Sequence, residues 1–542
     1  MRIQNLSRFG RWRLLTDAVQ RFRHDASGMI AVLATLMLVV VTLAVGIAVD
    51  FTRGSLQRQA LNAAIDAAAL AVAASSVTDS DQLEQLAREY IAANYSSQGY
   101  SSSDLSLSIE ITANKVAIAA SQQMPTMLMK MAQINTMELE SYTEVSRSIG
   151  NIEVVLVLDN TGSMLTDDKL EALKEAATEL TDTLFGDDTE SDTLKIGIVP
   201  FSVSVNVGAQ YTSETWLDHN GLNSISHLNF TDSTKHNSWA WGQLSNMEWN
   251  GCVEQRKVAT GIDYDIDDTI PTTSDPNTIF PIYFAPDEPT NSNSGSSKSG
   301  WGTGFPNNYL SDWRSDETPN SSMSLDSRQR RYEKYVGTSV NSTTKGPGYL
   351  CGIPALSPLT GTKQTITDAL DDMIANGGTN IATGVGWGLR VLSPTVPFTE
   401  GAAYDDDDWS KLMIIMTDGD NDWGSSLSNM NKSYYSGYGY ASQSATRLGL
   451  SSVPSTDTAL DAVFNARTTA ACDAVKSATG DADHAITVYT ITFGTALTDS
   501  ARTLMGDCAS DAEKYFHAPD SATLQDVFDE IGTQIRDIYI SK

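Results

Sequence analysis

The longest hydrophobic stretch of the chain lies near its N-terminus. Residues 29–49, MIAVLATLMLVVVTLAVGIAV, are 21 residues without a charge. Because an α-helix rises about 1.5 Å per residue, this stretch can cross the roughly 30 Å hydrocarbon core of a bilayer. The apolar region of a cleavable signal peptide has only about 7–15 residues. The pattern therefore predicts an uncleaved transmembrane helix.

The next hundred residues change from helical spacing to strand-like alternation. The Ala-rich segment SLQRQALNAAIDAAALAVAASS continues or restarts the helix, and a second helix is predicted over Ser80–Tyr95. The segments DLSLSIEIT, KVAIAAS and TMELESYTEVSRS then alternate polar and apolar residues, as half-buried strands do. We expect residues 50–150 to form a small α+β module.

From residue 151 onward, predicted strands alternate with predicted helices. The strands are Ile152–Leu158, Lys195–Phe201, Lys411–Thr417 and Ala485–Phe493, and the helices are Lys169–Phe185, Lys363–Ala375, Ile381–Leu392 and Ser521–Tyr539. Such alternation is typical of a parallel sheet with helices on both faces. We expect an α/β, doubly wound (Rossmann-like) domain over residues 151–542.

An insertion of about residues 210–361 interrupts this alternation. It is rich in Asn, Ser, Gly, Pro and Trp, and its middle, EPTNSNSGSSKSGWGTG, has the composition of a flexible loop. Its flanks contain Trp216, Trp239, Trp241, Trp249 and Trp313, more aromatic residues than a disordered segment would hold. We therefore predict a structured insertion with a flexible centre.

The distribution of charge predicts the topology and excludes one class of partner. The net charge of -31 argues against nucleic-acid binding, which needs a basic surface. Six arginines precede the hydrophobic stretch, so the positive-inside rule places residues 1–28 in the cytoplasm and exports everything after Asp50. The acidic runs Asp263–Asp268 and Asp405–Asp408 lack a calcium-loop pattern and are expected to be solvated surface.

All four cysteines lie in the exported part, where disulfides persist. Three connectivities are possible. The one with the fewest crossings pairs Cys252 with Cys351 and Cys472 with Cys508, and the latter two flank the predicted strand Ala485–Phe493.

Oxygen-bearing side chains follow the predicted strands of the α/β domain. Asp159, Thr161 and Ser163 come at the end of the first strand, Thr379 precedes a helix in GGTN, and Asp418 ends another buried strand. Ligands of open α/β sheets bind at the carboxyl ends of the strands. Oxygen donors suit a hard cation, and Mg²⁺ takes about six of them and readily keeps some waters. These five residues therefore predict a metal site.

The motifs DNTGS, GGTN and TDG, in this order, resemble the metal-ion-dependent adhesion site of von Willebrand factor A (vWA) domains. The resemblance implies that Asp159, Thr161, Ser163, Thr379 and Asp418 hold Mg²⁺ or Mn²⁺, and that an acidic side chain of a protein partner completes the coordination sphere. The family usually has serine where this chain has Thr161, which keeps the oxygen.

The arginine-rich start, the single spanning helix, LQRQALNAAIDAAALAVA, NGCVEQR and GWGLRVLSPTVPFTEGAAY together resemble TadG-type proteins of the Tad (Flp) tight-adherence pilus system. This resemblance implies a component of pilus assembly or cell adhesion, anchored in the bacterial inner membrane with its body outside the cytoplasm. The sequence has no Ser-His-Asp order and no GxSxG motif, so we expect that the protein is not an enzyme.

Two alternatives remain open at the level of sequence. DNTGS and TDGDND are superficially similar to motifs of Mg²⁺-dependent aspartyl-phosphate hydrolases, in which the first aspartate is the nucleophile. A scaffold whose site has lost its metal fits the same residues and differs only in metal affinity.

Overall fold

The structure is a computed structural model that describes residues 29–73, 75, 80–111, 115–146, 151–258, 262–289, 305–310, 324–427, 429–482 and 484–541. The predicted cytoplasmic segment 1–28, most of the predicted flexible centre of the insertion and Trp313 lie outside these residues. The chain divides into two compact units, one of residues 1–149 with 540–542 and one of residues 150–539. It is a mixed α/β protein with one N-terminal apolar helix, as predicted.

The first unit combines two helices with a three-stranded sheet. Its elements are α1 (Met29–Ala73), α2 (Ser80–Ser97), β1 (Ser106–Ile111), β2 (Lys115–Pro125) and β3 (Thr136–Ser146). The strands pair antiparallel in the order β1-β2-β3, and alternate residues of β2, such as Val116 and Ile118, pack in one apolar cluster with Ala64 and Ala68 of α1. In the part of the chain that the structure describes, α1 is the one helix long and apolar enough to cross a membrane.

The second unit is built on a six-stranded sheet. Its main elements are β4 (Asn151–Asp159), α3 (Lys169–Phe185), β5 (Leu194–Phe201), β6 (Ser357–Thr360), α4 (Lys363–Asp371), α5 (Ile381–Leu392), β7 (Trp409–Thr417), α6 (Asp457–Ser477), β8 (Thr487–Phe493), α7 (Asp499–Cys508), β9 (Tyr515–Ala518) and α8 (Ser521–Ser541). The strand order is β9-β8-β7-β4-β5-β6. All neighbouring strands are parallel except the edge strand β6, which runs antiparallel to β5.

Both faces of this sheet are covered, because its central strands carry apolar side chains on both sides. Val155 and Val157 of β4 pack with residues of α5 and α6, whereas Val154, Leu156 and Leu158 pack with α3, α4 and α8. Helix α5 approaches the sheet closely, since a Cβ added at Gly388 would lie 2.7 Å from Val157. A larger residue there would push the helix away from the strand.

Residues 202–356 connect β5 to β6 and contain mainly irregular structure in their described part. The short elements of this segment include the helices Asn237–Trp241 and Leu325–Gln329 and the paired strands Val205–Asn206 and Cys252–Val253. Between β7 and α6 lie the short helix Ser444–Arg447 and the paired strands Ser425–Ser426 and Lys432–Ser433. Trp216 and Trp241 are buried in the same cluster as Val157, and Phe280 packs on Trp387 of α5 with ring centroids 4.7 Å apart. Trp216, Trp241 and Phe280 therefore belong to the same core as β4.

Both expected disulfides are present, so their prediction is confirmed. Cys252 is bonded to Cys351, and Cys472 of α6 is bonded to Cys508 of α7. The second bond joins the helices that precede and follow β8.

The structure corrects several sequence predictions. The pattern missed α6, because its buried face, Leu460, Phe464, Thr468, Ala471, Cys472 and Val475, includes small and polar residues that weaken the apolar periodicity. Helix α4 ends at Asp371 instead of Ala375, since the following residues turn toward the loop after β4, where Asn160 Nδ2 donates to the Ile374 carbonyl at 3.0 Å. The acidic run Asp263–Asp268 is not simply solvated surface, because Asp265 is buried and forms an ion pair with Arg467.

Candidate metal centre at the carboxyl end of the sheet

Asp159 is the last residue of β4 and begins the loop that leads to α3. Its side chain is completely buried. Asp159 Oδ1 accepts a hydrogen bond from the Thr161 backbone N–H at 2.8 Å, and Oδ2 accepts one from Thr417 Oγ1 at 2.6 Å. Leu158 pairs with Met416 in the parallel ladder, so Asp159 and Thr417 leave their strands side by side. The register of the two strands therefore fixes the position of the Asp159 carboxylate beside Thr417.

The side chains of Thr161 and Ser163 extend from this buried carboxylate toward solvent. Thr161 is buried and Ser163 is exposed. Their hydroxyl oxygens are 2.9 Å apart, and Ser163 Oγ donates to Asp418 Oδ1 at 2.6 Å. Asp418 is buried and directly follows β7. Four of the five predicted residues therefore form one hydrogen-bonded cluster that opens to solvent at Ser163.

Thr379 lies in the neighbouring loop, between α4 and α5. The two loops are joined through backbone atoms, since the Gly162 N–H donates to the Gly377 carbonyl at 2.9 Å. Gly377 has a φ of +86°, a conformation that glycine adopts without strain. Thr379 is buried, and its backbone pairs with Asp422. Among the described residues, no hydrogen bond joins the Thr379 hydroxyl to the other four side chains.

Lys169 is a further member of the cluster. Its ammonium lies 2.8 Å from Asp418 Oδ2, and the side chain is mostly buried. Asp167 and Asp168, just before α3, have left-handed φ angles of 56° and 53°. Such angles are uncommon outside glycine, although aspartate tolerates them better than most residues. This turn starts α3 at Lys169, the first helical residue.

Lys169 and Thr417 were not among the residues predicted to form the site. Thr417 could have been found, because it occupies the last position of a strand beside the one that ends in Asp159. The signal for Lys169 in the sequence is weaker. A basic residue at the start of a helix is repelled by the helix dipole, which suggests that a negatively charged partner lies nearby.

Burial and charge alter the acidity of the buried carboxyl group. Desolvation, followed by the negative charge of Asp418, raises the pKa of Asp159 from 3.8 to about 7, and hydrogen bonds from Thr161 and Thr417 act in the opposite direction. A nearby cation would stabilise the ionised form of this carboxyl group and would therefore lower its pKa again.

The donor atoms fit a small, hard cation. Two oxygens on adjacent corners of an Mg²⁺ octahedron, each about 2.1 Å from the ion, are about 3 Å apart. The hydroxyl oxygens of Thr161 and Ser163, which are hydrogen-bonded to each other at 2.9 Å, are no farther apart than this. In the part of the chain that the structure describes, no three His, Cys, Asp or Glu side chains group together as metal ligands. A cation here would therefore depend on two carboxylates supplemented by hydroxyls and water.

Comparison with protein families finds one match, at the N-terminus. Residues 28–75 match the family model for Tad, described as Flp pilus-assembly TadE/G-like. The matched range includes the whole of α1 and no residue of the candidate metal centre. Comparison with curated proteins finds no match.

Solved structures similar to this chain include pilus adhesins and a vWA protein. The open form of the pilus adhesin SpaC from Lactobacillus rhamnosus GG has 11% identity and a TM-score of 0.30, covering 80% of this chain and 33% of SpaC. The vWF domain of the type V pili tip protein Mfa5 from Porphyromonas gingivalis has 10% identity and a TM-score of 0.31, covering 71% of this chain and 95% of that domain. The von Willebrand factor type A protein from Catenulispora acidiphila has 11% identity and a TM-score of 0.26, covering 80% of this chain and 51% of that protein. This chain thus spans a third of SpaC and half of the Catenulispora protein.

Proposed function

We propose that this protein, whose residues 28–75 match the Tad family, is a membrane-anchored component of Tad (Flp) pilus assembly or adhesion. In this proposal residues 151–542 form a doubly wound vWA domain with an insertion. Its metal-ion-dependent adhesion site would bind an acidic group of a protein partner. The observation that carries the proposal is the cluster of Asp159, Thr161, Ser163 and Asp418 at the carboxyl end of the sheet, next to the Thr379 loop.

The chemistry of this cluster supports Mg²⁺ or Mn²⁺ as the ion. Asp159, Thr161, Ser163, Thr379 and Asp418 would supply oxygen donors, and the bound ion would contribute a Lewis-acidic position for one more oxygen ligand. The two carboxylates and the Lys169 ammonium together carry one negative charge. A divalent cation would turn this into one positive charge, which attracts a carboxylate of a partner. Because Ser163 is exposed, that carboxylate could reach the ion from solvent.

The composition of the chain supports an exported body. The six arginines before α1 favour a cytoplasmic N-terminus. Both disulfides lie beyond α1, and disulfides persist outside the cytoplasm. We therefore propose a single-pass protein of the bacterial inner membrane with its body in the periplasm or beyond.

The surroundings of Asp159 support a role without catalysis. An aspartyl-phosphate enzyme needs a carboxylate oxygen that can reach its substrate, but Asp159 is fully buried and both of its oxygens accept hydrogen bonds. We expect no hydrolysis of phosphate esters by the purified protein.

One observation favours a second candidate, a scaffold that works without metal. The Lys169 ammonium already supplies a positive charge next to Asp418. If this ion pair fully satisfies the carboxylates, the loops can keep their shape without a cation.

Complementation of a deletion strain tests the proposed function. Asp159→Ala and Thr379→Ala proteins should reach the membrane at normal levels but fail to restore attachment or surface pili. Asp405→Ala is the matched control, because this exposed aspartate lies before β7 while Asp418 follows it. If the Asp159→Ala protein fully restores attachment and surface pili, the metal-dependent role is contradicted and the metal-free scaffold is favoured.

A further inference from the structure

The loop between β2 and β3 exposes several large apolar side chains. Residues 126–135 form this loop, which contains the single-turn helix Met129–Ala132. Met127, Met131 and Ile134 are 65%, 66% and 44% exposed. Soluble proteins expose isolated apolar residues, but three in one short loop, next to an apolar helix, form a patch.

The loop is fixed against α1 at two points. The buried Asp50 carboxylate accepts hydrogen bonds from the backbone N–H groups of Met127, Leu128 and Met129 at 2.8–3.1 Å. One helical turn earlier, a Cβ added at Gly46 would lie 2.7 Å from Leu128 Cβ. Leu128 therefore packs directly on the helix, at a position where the absence of a side chain makes room for it.

These two contacts define the level of the loop along α1. Gly46 belongs to the uncharged stretch 29–49, and Asp50 is the first charged residue after it. The two residues are about 6 Å apart along the helix axis, at a rise of about 1.5 Å per residue. The loop therefore lies beside the last turn of the apolar stretch, where Val45 and Val49 of the helix are also exposed.

The backbone of the loop is suited to a low-dielectric environment. Lipid-exposed irregular backbone does not occur inside the hydrocarbon core, so this loop can contact the bilayer only at its surface, where paired backbone groups lower the cost of leaving water. Asp50 pairs three N–H groups, and those of Thr126, Gln133 and Ile134 donate to carbonyls within the loop.

We propose that loop 126–135 is a second membrane contact, which inserts Met127, Met131 and Ile134 into the phospholipid surface where α1 leaves the bilayer. The exposed Lys130 lies among these residues, and its long side chain can reach the headgroups while its methylene groups stay among the acyl chains. Two contacts joined by Asp50 would fix how the first unit is oriented on the membrane. The inference goes beyond the proposed function and depends only on its claim that α1 crosses a bilayer.

Site-specific fluorescence on the full chain in phosphatidylcholine–phosphatidylglycerol vesicles tests this proposal. All four native cysteines form disulfides, so an introduced cysteine can be labelled selectively. An environment-sensitive probe at Met131→Cys should be quenched by a spin label placed high on the lipid acyl chains and be protected severalfold from aqueous iodide. A probe at Glu110→Cys is the control, since its ladder partner Ala117 lies eight residues, or about 26 Å, along β2 from the loop. That probe should show the opposite behaviour.

Three other results would contradict the proposal, and each points to a different arrangement of the loop or the helix. If the probe at position 131 is as open to iodide as the one at position 110, the loop lies in water. Protection from both iodide and lipid quencher would mean that a protein, or a second copy of this chain, covers the loop. A probe at Leu36→Cys that escapes lipid quenching would show that α1 does not span the bilayer, and the proposed anchoring would fail as well.

A second pair of variants tests the link through Asp50. Asp50→Ala should increase iodide quenching of the probe at position 131, because the loop loses its attachment to the helix. Asp66→Ala, which changes an exposed aspartate of the same helix, should not. Equal quenching in both variants would show that Asp50 does not hold the loop at the membrane.

Discussion

The Lys169 ammonium lies 2.8 Å from Asp418 Oδ2, so a basic side chain contacts a carboxylate that we propose as a metal ligand. Lysine and a divalent cation would compete for the same negative charge. This relationship distinguishes a metal-binding protein from a metal-free scaffold, because only the metal-binding protein should bind Mg²⁺ more tightly when Lys169 is replaced.

Replacing Lys169 should strengthen metal binding. Two unit charges about 4 Å apart interact by about 4 kcal/mol at an effective dielectric constant of about 20, so losing the ammonium should lower the Kd for Mg²⁺ at least tenfold. Lys169→Met should also lower the melting temperature of the chelator-treated protein, since Asp418 loses its partner. Calorimetric titration and thermal unfolding measure both effects.

The control for this variant is Lys174→Met on the same helix. Lys174 pairs with Glu171, away from the cluster, and its loss should leave the Kd unchanged. If Lys169→Met destabilises the protein and no Mg²⁺ binding emerges, the ion pair is structural and the scaffold is the better account.

Asp159 should make the stability of the metal-free protein depend on pH. Its pKa is raised from 3.8 to about 7 by burial and by Asp418, so between these pH values the folded protein holds a proton that the unfolded chain lacks. The free energy of unfolding therefore falls as pH rises through this window. The stabilisation is fully present below about pH 4 and lost above about pH 7. A shift of this size corresponds to about 4 kcal/mol.

Thermal unfolding of the chelator-treated protein from acidic to neutral pH measures this effect. Asp159→Asn removes the titrating group, so the variant should gain stability relative to the unmutated protein as pH rises. Parallel curves for the two proteins would show that Asp159 titrates at its ordinary pKa.

The disulfide between Cys472 and Cys508 should contribute to stability through the loop that it closes. A loop of this length, with a sequence separation of 36, corresponds to about 4 kcal/mol in the chain-entropy account. Cys472→Ala combined with Cys508→Ala should lower the free energy of unfolding by about that amount in urea titrations. Mass analysis of non-reduced peptides checks the pairing, and two free thiols at these positions would contradict it.

Much of the α/β unit could be predicted because its elements have strong local patterns. The predicted bounds of α3 and α5 agree with the structure, since Lys169–Phe185 has clear helical periodicity and Ile381–Leu392 is apolar throughout. The strand ending at Asp159 was predicted for a similar reason, because buried parallel strands are continuous apolar runs.

Features that depend on distant residues could not be predicted. The ion pair of Lys169 with Asp418 joins residues 249 positions apart, and that of Asp265 with Arg467 joins residues 202 positions apart. The attachment of the β2–β3 loop to Asp50 likewise follows only from tertiary structure. In each case the two partners are far apart in sequence, so their contact can be recognised only in the folded structure.

Calorimetric titration of Mg²⁺ and Mn²⁺ into the chelator-treated full chain is the most direct test of the metal centre. We predict one binding event at millimolar or lower concentration of ion, accompanied by a higher melting temperature that chelation reverses. Asp159→Ala and Thr379→Ala should abolish both, and Asp405→Ala should change neither. If the unmutated protein binds neither ion at millimolar concentration, the free protein has no metal site, and the metal-dependent function proposed here is contradicted.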